Sequence, residues 1–429
     1  MTYQEALDYL NETLPNFQRI GPAAFKNNLD NSLALMQFLE QPQAQYPTIH
    51  IAGTNGKGST AHLLSAVLQA AGYKVGLYSS PHYIDFREQI KINGQYIREQ
   101  AVIDFTQRIP DFVRQYQPSF FELATGMAFD YFRTEKVDIA IIETGLGGRL
   151  DSTNILSPIL SIITNIGFDH QQILGDSLTK IAFEKAGIMK ANTPVVIGED
   201  LPETRSVFLE KALACKAPIY FANEHIRIEV VKQDIEAWLV HVWEKNQKVF
   251  DQLSCSLSGD YQLANIKTAL AALSILRHPT IKISPAHIYQ GFKAVKQLTN
   301  IIGRWEILQA TAPTIICDSA HNADGMAYVG TALMNIPHQN LHIVFGMVND
   351  KSPEQLLSLL PKAATYYFCK ANIPRGLAAL KLLEIALKLG LKGRAYPTVP
   401  AAFAAAKANA HTNDLIFVGG SIYTLAEIL

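Results

Sequence analysis

Short apolar runs rich in β-branched residues alternate with amphipathic helical stretches over most of the chain. The runs Ile49–Ala52, Val75–Tyr78, Val137–Ile142, Leu160–Thr164 and Val195–Ile197 have the near-continuous hydrophobicity of parallel strands buried on both faces. Between the first two, Thr60–Ala71 places Leu63, Leu64, Val67, Leu68 and Ala71 on one helical face. The texture changes over Ile226–Ser256. There Ile226, Ile228 and Val230 alternate with polar residues, and Trp238–Trp243 and Val249–Leu253 follow. This predicts a small antiparallel sheet ahead of a long helix over Gln262–Leu276. After about residue 296 the alternation starts afresh, with strands at Thr314–Cys317, Leu341–Phe345, Thr365–Phe368 and Leu415–Val418 and helices near 323–334, 353–360, 377–389 and 399–408. The Ala-rich stretch Pro400–Ala410 reads as a surface helix, because alanine is the best helix former.

Composition narrows the class. A length of 429 residues allows three domains of ordinary size or two larger ones, and 48% hydrophobic with 17% charged residues excludes a disordered chain. Lys and Arg total 37 against 38 for Asp and Glu, so no basic excess favours nucleic acid or an anionic membrane as a partner. The polar, acidic opening Met1–Asp8 does not read as a secretory signal, and no run of about 18 apolar residues predicts a membrane span. Cys215, Cys255, Cys317 and Cys369 form no C-x-x-C and fit reduced thiols better than disulfides or a zinc site. A cytoplasmic location is expected.

The sharpest chemical signal is Gly53-Thr54-Asn55-Gly56-Lys57-Gly58-Ser59-Thr60, between an apolar strand and an amphipathic helix. Glycines let backbone N–H groups converge on phosphate oxygens, and the helix N-terminus favours negative charge. Lys57 supplies a cation for the β- and γ-phosphates, and Ser59 or Thr60 a hydroxyl near a magnesium ion. The run departs from G-x-x-x-x-G-K-[ST], with Ile51 at the first glycine and Gly58 between the lysine and Ser59. A second candidate is Glu143, which ends a buried strand and leads into Thr144-Gly145-Leu146-Gly147-Gly148-Arg149-Leu150-Asp151. Carboxyl ends of parallel strands are where open α/β sheets bind ligands, so near a phosphate loop Glu143 would hold Mg²⁺ directly or through water; alone, a strand-end Glu is more often a helix cap or an ion-pair partner. Asp169-His170 follow the next strand. A lone histidine is more often structural, but the neighbouring Glu143 strand favours a ligand. On general grounds Lys185 reads as a solvated helical lysine.

Together these motifs resemble folylpolyglutamate synthase and the bifunctional dihydrofolate synthase/folylpolyglutamate synthase, of the Mur ligase superfamily. Gly53–Ser59 matches that family's phosphate loop, extra glycine included. Ser79-Ser80-Pro81-His82 and Phe86-Arg87-Glu88 resemble its T-S-P-H and E-R-I segments, with Ser79 for threonine and Gln89 for arginine. Phe121-Glu122, Glu143–Asn154, Asp169-His170, Glu184–Lys190 and Gly259-Asp260-Tyr261-Gln262 with Asn265 are similar to successive signatures. So are Gly303-Arg304-Trp305-Glu306, Asp318–Asn322, Gly346 through Asp350-Lys351, and Gly420–Tyr423. The resemblance covers nearly the whole chain. It implies a P-loop-containing, mostly parallel sheet domain with the small antiparallel sheet over 1–296, then a smaller Rossmann-like α/β domain over 297–429, joined around Gln297–Gly303.

It also implies roles. Gly53–Thr60 would cradle ATP, with Asn265, Arg304 and Asp318 in contact with the nucleotide. Two Mg²⁺ ions are expected: Ser80 and Glu143 would bind one, with Ser59 nearby, and Glu143, His170 and a carbamylated Lys185 the other. His321 and Ser421 would serve the incoming glutamate, with Lys57, Glu143, His170, Lys185 and His321 as the catalytic set. His321 also reads as a cap on the following helix, and Asp318 as a turn residue. The implied reaction adds L-glutamate to a folate, or to dihydropteroate, through an acyl phosphate, in a monomer. Two alternatives remain: an amide ligase of the same superfamily acting on another carboxylate, such as a cell-wall nucleotide precursor, and a P-loop nucleotide-hydrolysing switch, although no N-K-x-D motif stands near a suitable strand.

Overall fold

The computed structural model describes residues 1–15, 21 and 26–429. The chain divides into two compact units, one formed by Met1–Lys232, Trp238–Ser256 and Gln262–Asn300, the other by Gln233–Ala237, Leu257–Tyr261 and Ile301–Leu429.

The larger unit is built on a sheet of β1 (Thr48–Ala52), β2 (Val75–Tyr78), β3 (Ile90–Ile92), β4 (Gln95–Tyr96), β5 (Ile139–Glu143), β6 (Leu160–Ile163), β7 (Val195–Ile197) and β8 (Ile219–Phe221). Their order is β4-β3-β2-β5-β1-β6-β7-β8, parallel except for the β2-β3-β4 edge. All five residues of β1 and all five of β5 are buried, which is why both read as unbroken apolar runs. Tyr78, Ala140 and Ile142 join one core with Phe129, Phe132 and Leu35 from helices, whereas Ala52, Ile163, Val195 and Ile197 join another with Ile181 and Phe208. The helix Lys57–Ala70 packs against Gln262–Ile275 and Pro285–Lys293.

Strands β9 (Ile226–Gln233), β10 (Trp238–Glu244) and β11 (Gln247–Cys255) make the expected antiparallel sheet. Glu244 pairs with Gln247 across a two-residue turn in which Lys245 and Asn246 have φ of +46° and +67°, the primed geometry that suits strand twist.

The smaller unit has a sheet of β12 (Glu306–Gln309), β13 (Thr314–Asp318), β14 (Leu341–Phe345), β15 (Thr365–Phe368), β16 (Lys392–Ala395) and β17 (Leu415–Gly419), in the order β12-β13-β17-β14-β15-β16. Only β12 runs antiparallel. Two expectations are corrected here. The helix near 353–360 closes at Leu357, and the Ala-rich helix, Val399–Asn409, is not a purely surface element: Val399, Ala402 and Ala406 are buried beside β14, β15 and β17. Among the described residues no helix is long and apolar enough to cross a membrane.

Candidate active site

Neighbouring strands β5, β1 and β6 end side by side, with Ile51 level with Glu143 and Ala52 level with Ile163. The chain enters β5 and β6 on opposite sides of β1, a switch point of the kind that opens a ligand crevice at the carboxyl ends.

The loop after β1 is shaped by the protein itself. Thr54 and Asn55 donate their backbone N–H groups to Asn165 O (3.0 Å) and Asn165 Oδ1 (2.7 Å). The Thr54 hydroxyl donates to Gly167 O at 3.1 Å and accepts from Gly167 N–H at 3.0 Å, while the Thr164 hydroxyl donates to Asn55 O at 2.6 Å. Gly56 then caps the helix Lys57–Ala70 at φ +83°, and a Cβ there would overlap Asn265 Oδ1. Gly56→Ala is therefore expected to destabilise the larger unit by about 1–3 kcal/mol and to weaken nucleotide binding, measurable by denaturant titration and ATP titration.

Lys57, Gly58, Ser59 and Thr60 form the first turn of that helix. Lys57 Nζ donates to Gly53 O (3.2 Å) and Thr54 O (3.3 Å) and lies 3.9 Å from Glu143 Oε1. Lys185 is not a solvated lysine: it is 3% exposed, and its Nζ donates to the same Gly53 carbonyl at 2.8 Å. Burial, and then the nearby Lys57 charge, push its amine down to about 7, with Asp169 and Asp151 pulling the other way.

Ser59 is buried and accepts from Gln262 Nε2 at 3.1 Å, and Asn265 Nδ2 donates to Gln262 Oε1 at 2.8 Å. The helix Gln262–Ile275 thus delivers Asn265 to the phosphate loop through Gln262, a residue quoted in the motif but given no role. Thr164 and Asn165, which hold the loop from the end of β6, also escaped the sequence reading; an Asn just past a buried strand is a turn signal that could have marked them. Ser80 lies past the carboxyl end of β2, the strand next to β5. His170, at φ +49°, follows Asp169 beyond β6; its N–H donates to Asp169 Oδ1 at 2.8 Å and its Nε2 lies 3.8 Å from the same oxygen.

Among the described residues no three His, Cys, Asp or Glu side chains gather as a ready-made metal cage. That donor set still fits Mg²⁺, which binds through one or two carboxylates plus water and phosphate oxygens rather than through an all-protein cage. Glu143 would supply the carboxylate. The hydroxyl of Thr144, the next residue, is buried with no hydrogen-bond partner among the described residues, leaving a polar atom for a bound group to satisfy.

In the smaller unit, taken by itself, Asp318 ends β13 level with Gly419 of β17. It accepts from Tyr261 Oη (2.5 Å), Trp305 N–H (2.8 Å) and Ala320 N–H (2.8 Å), so it is both a turn residue and the brace of the Arg304 segment. Ser319 N–H adds a bond to Gly303 O at 3.2 Å. The following helix is capped by Asn322, whose Oδ1 accepts from Gly325 N–H at 3.0 Å; His321 is not the cap and turns Nδ1 to Ser319 O at 3.0 Å. Ser421 caps Ile422–Ala426, accepting from Thr424 N–H at 3.1 Å.

Two family models match the chain: the Mur ligase middle domain over residues 51–273 and the Mur ligase glutamate ligase domain over 303–422. A Bacillus subtilis dihydrofolate synthase/folylpolyglutamate synthase is 32% identical, over 94% of this chain and 94% of its own. A probable bifunctional folylpolyglutamate synthase/dihydropteroate synthase of Haloferax volcanii is also 32% identical over the whole chain, which spans half of that protein's length. Escherichia coli FolC in complex with DHPP and ADP superposes with a TM-score of 0.87 at 30% identity, covering 100% of this chain and 97% of the other. A bifunctional folylpolyglutamate synthase/dihydrofolate synthase with Mn, AMPPNP and L-glutamate bound gives 0.84 at 29% identity, with 100% and 97% covered. Both matching family models are ligase domains, and neither describes a nucleotide-hydrolysing switch.

Proposed function

The chain belongs to the Mur ligase family, in its folylpolyglutamate synthase/dihydrofolate synthase branch, and from that premise we propose that it adds L-glutamate to folates and to dihydropteroate at the expense of ATP. The observation that carries the proposal is that Lys57 and Lys185 both donate to the Gly53 carbonyl, just past the strand that opens the phosphate loop, with Glu143 beside Lys57.

A carboxylate is a poor acyl donor because its leaving group is oxide. Attack of the folate γ-carboxylate, or of the dihydropteroate benzoate, on the γ-phosphorus of ATP gives an acyl phosphate and ADP. The amine of glutamate then adds to the acyl carbon, and collapse of the tetrahedral adduct expels phosphate and leaves the amide. Lys57 offsets charge on the transferring phosphoryl oxygens. Glu143, with Ser59, Ser80 and His170, is assigned to two Mg²⁺ ions, which when bound would supply positive charge to offset that of the phosphates. Asn265 in the larger unit and Arg304 and Asp318 in the smaller are assigned to ATP, and His321 and Ser421 to glutamate.

Lys185 is assigned as a carbamate. Its Nζ lone pair would form a bond to the carbon of CO₂, one C–O π pair moving to oxygen, and the nitrogen would lose a proton to solvent. Burial supports this by holding a large share of the amine neutral. The product places an anion beside Lys57, where the unmodified side chain places a second cation. All four cysteines are free thiols, in keeping with a cytoplasmic setting, and a monomer is the proposed assembly.

The test is phosphate release from ATP in the presence of glutamate, with tetrahydrofolate and dihydropteroate offered separately. Release is expected to require glutamate and either acceptor. Release that ignores both would overturn the proposal, and a response to tetrahydrofolate alone would restrict it to polyglutamylation.

A further inference from the structure

One residue ties the loop leaving Glu143 to the helix that carries Lys185. The backbone N–H of Arg149 donates to the Glu184 carbonyl at 2.7 Å. Its guanidinium sits on the Glu184 carboxylate, with Nε 3.2 Å from each oxygen and Nη2 2.9 Å from Oε1. Asn154 Nδ2 spans the same join, donating to Arg149 O at 3.0 Å and Gly187 O at 3.1 Å. Gly187 has no room for a side chain, since a Cβ there would overlap Arg149. The Phe183 ring lies 5.7 Å from the guanidinium carbon.

We propose that Arg149 is a positioning residue for Lys185: by clamping Glu184, it holds the next side chain in the chain at the phosphate loop. The proposal rests on the assignment of Lys185 as a carbamate.

Lys185 belongs to the last turn of its helix, Leu178–Ala186, where carbonyls run out of partners within the helix and fraying begins. Arg149 supplies an N–H to one of those carbonyls and a cation at the end that favours one. The two-pronged contact to Glu184 sets direction as well as distance. Its side chains are 45% and 18% exposed, so the pair adds little to global stability. Its value lies in geometry, because misplacing a reacting group by about 1 Å can cost 100-fold in rate.

The experiment uses the full chain and three readouts: kcat, thermal midpoint, and the carbamate signal of Lys185 in ¹³C NMR with labelled bicarbonate. Arg149→Ala is expected to lower kcat about 100-fold and to weaken the carbamate signal at equal bicarbonate. Its Tm should stay within about 4 °C of wild type. Arg149→Lys should recover part of both losses, because an ammonium keeps the charge but not the fork. An Arg149→Ala protein with kcat within about threefold of wild type and an undiminished signal overturns the proposal. If that variant is unstable, Glu184→Gln repeats the measurement with the shape kept, and unchanged values there overturn it equally. A wild-type spectrum without the carbamate signal overturns the Lys185 assignment instead. Arg149 is then judged on kcat alone, where no loss in Arg149→Ala removes its role.

Discussion

Lys57→Ala and Glu143→Gln are each expected to lower glutamate-dependent phosphate release by at least 10²–10³-fold, about 2.7–4 kcal/mol of transition-state stabilisation, in proteins that remain folded. Lys57 Nζ is 3.9 Å from Glu143 Oε1: Glu143 ends β5, and Lys57 opens the helix that follows the neighbouring parallel strand β1, so both lie at one crevice. A phosphoryl group in transfer spreads charge over its oxygens, and groups already held in place stabilise that charge without reorganising. The alanine removes the cation and leaves Glu143 without its counter-charge. The glutamine keeps the shape of Glu143 but gives up the anion a divalent ion requires, so its residual rate should rise with metal concentration more steeply than that of wild type. Because the two groups act on one event, the double variant should fall short of the product of the single effects. Near wild-type release in either single variant would remove the site assignment.

How far the chain could be read beforehand follows from burial. Strands β1, β5, β14 and β17 lie inside their sheets, are covered on both faces, and stand out as apolar runs. Strands β8, β12 and β16 are edges with partly exposed residues, and none has a run long or apolar enough to read. The β3–β4 hairpin does carry a signal, Asn93-Gly94 at φ +48° and +75°, between strands of only three and two residues that are too short to stand out as apolar runs.

The site divides in the same way. The phosphate loop announces itself because glycine, lysine and hydroxyl residues are contiguous, and Glu143 because a charge ending a hydrophobic run is conspicuous. Lys185 was legible only through resemblance, since nothing local separates a buried helical lysine from a solvated one. What distinguishes it is long-range: the carbonyl of Gly53, 132 residues away in sequence, and the clamp of Arg149 on its neighbour. Gln262 belongs to the same class, its partner Ser59 lying 203 residues away.

Lys185→Ala is therefore the variant expected to lose most from a position that local sequence marks least. A buried ammonium beside Lys57 costs desolvation and repulsion together, and conversion to a carbamate turns the repulsion into attraction while adding two hard oxygen donors for a divalent ion. Removing the side chain should lower kcat by at least about 10²-fold, with the affinity for divalent metal falling in parallel, since ligands and their supports commonly contribute 10–100-fold to metal binding. A short carboxylate such as formate or acetate, supplied with bicarbonate, should restore part of the rate in the alanine variant by entering the space the side chain leaves. The same acid should do nothing for Lys57→Ala, where the missing group is a cation. In the wild-type protein, stripping CO₂ from the buffer should lower activity and returning bicarbonate should restore it. Activity of Lys185→Ala close to wild type would remove this lysine from the reaction, and a wild-type rate indifferent to CO₂ together with a ¹³C spectrum lacking the carbamate would show that it acts at the phosphate loop as an amine.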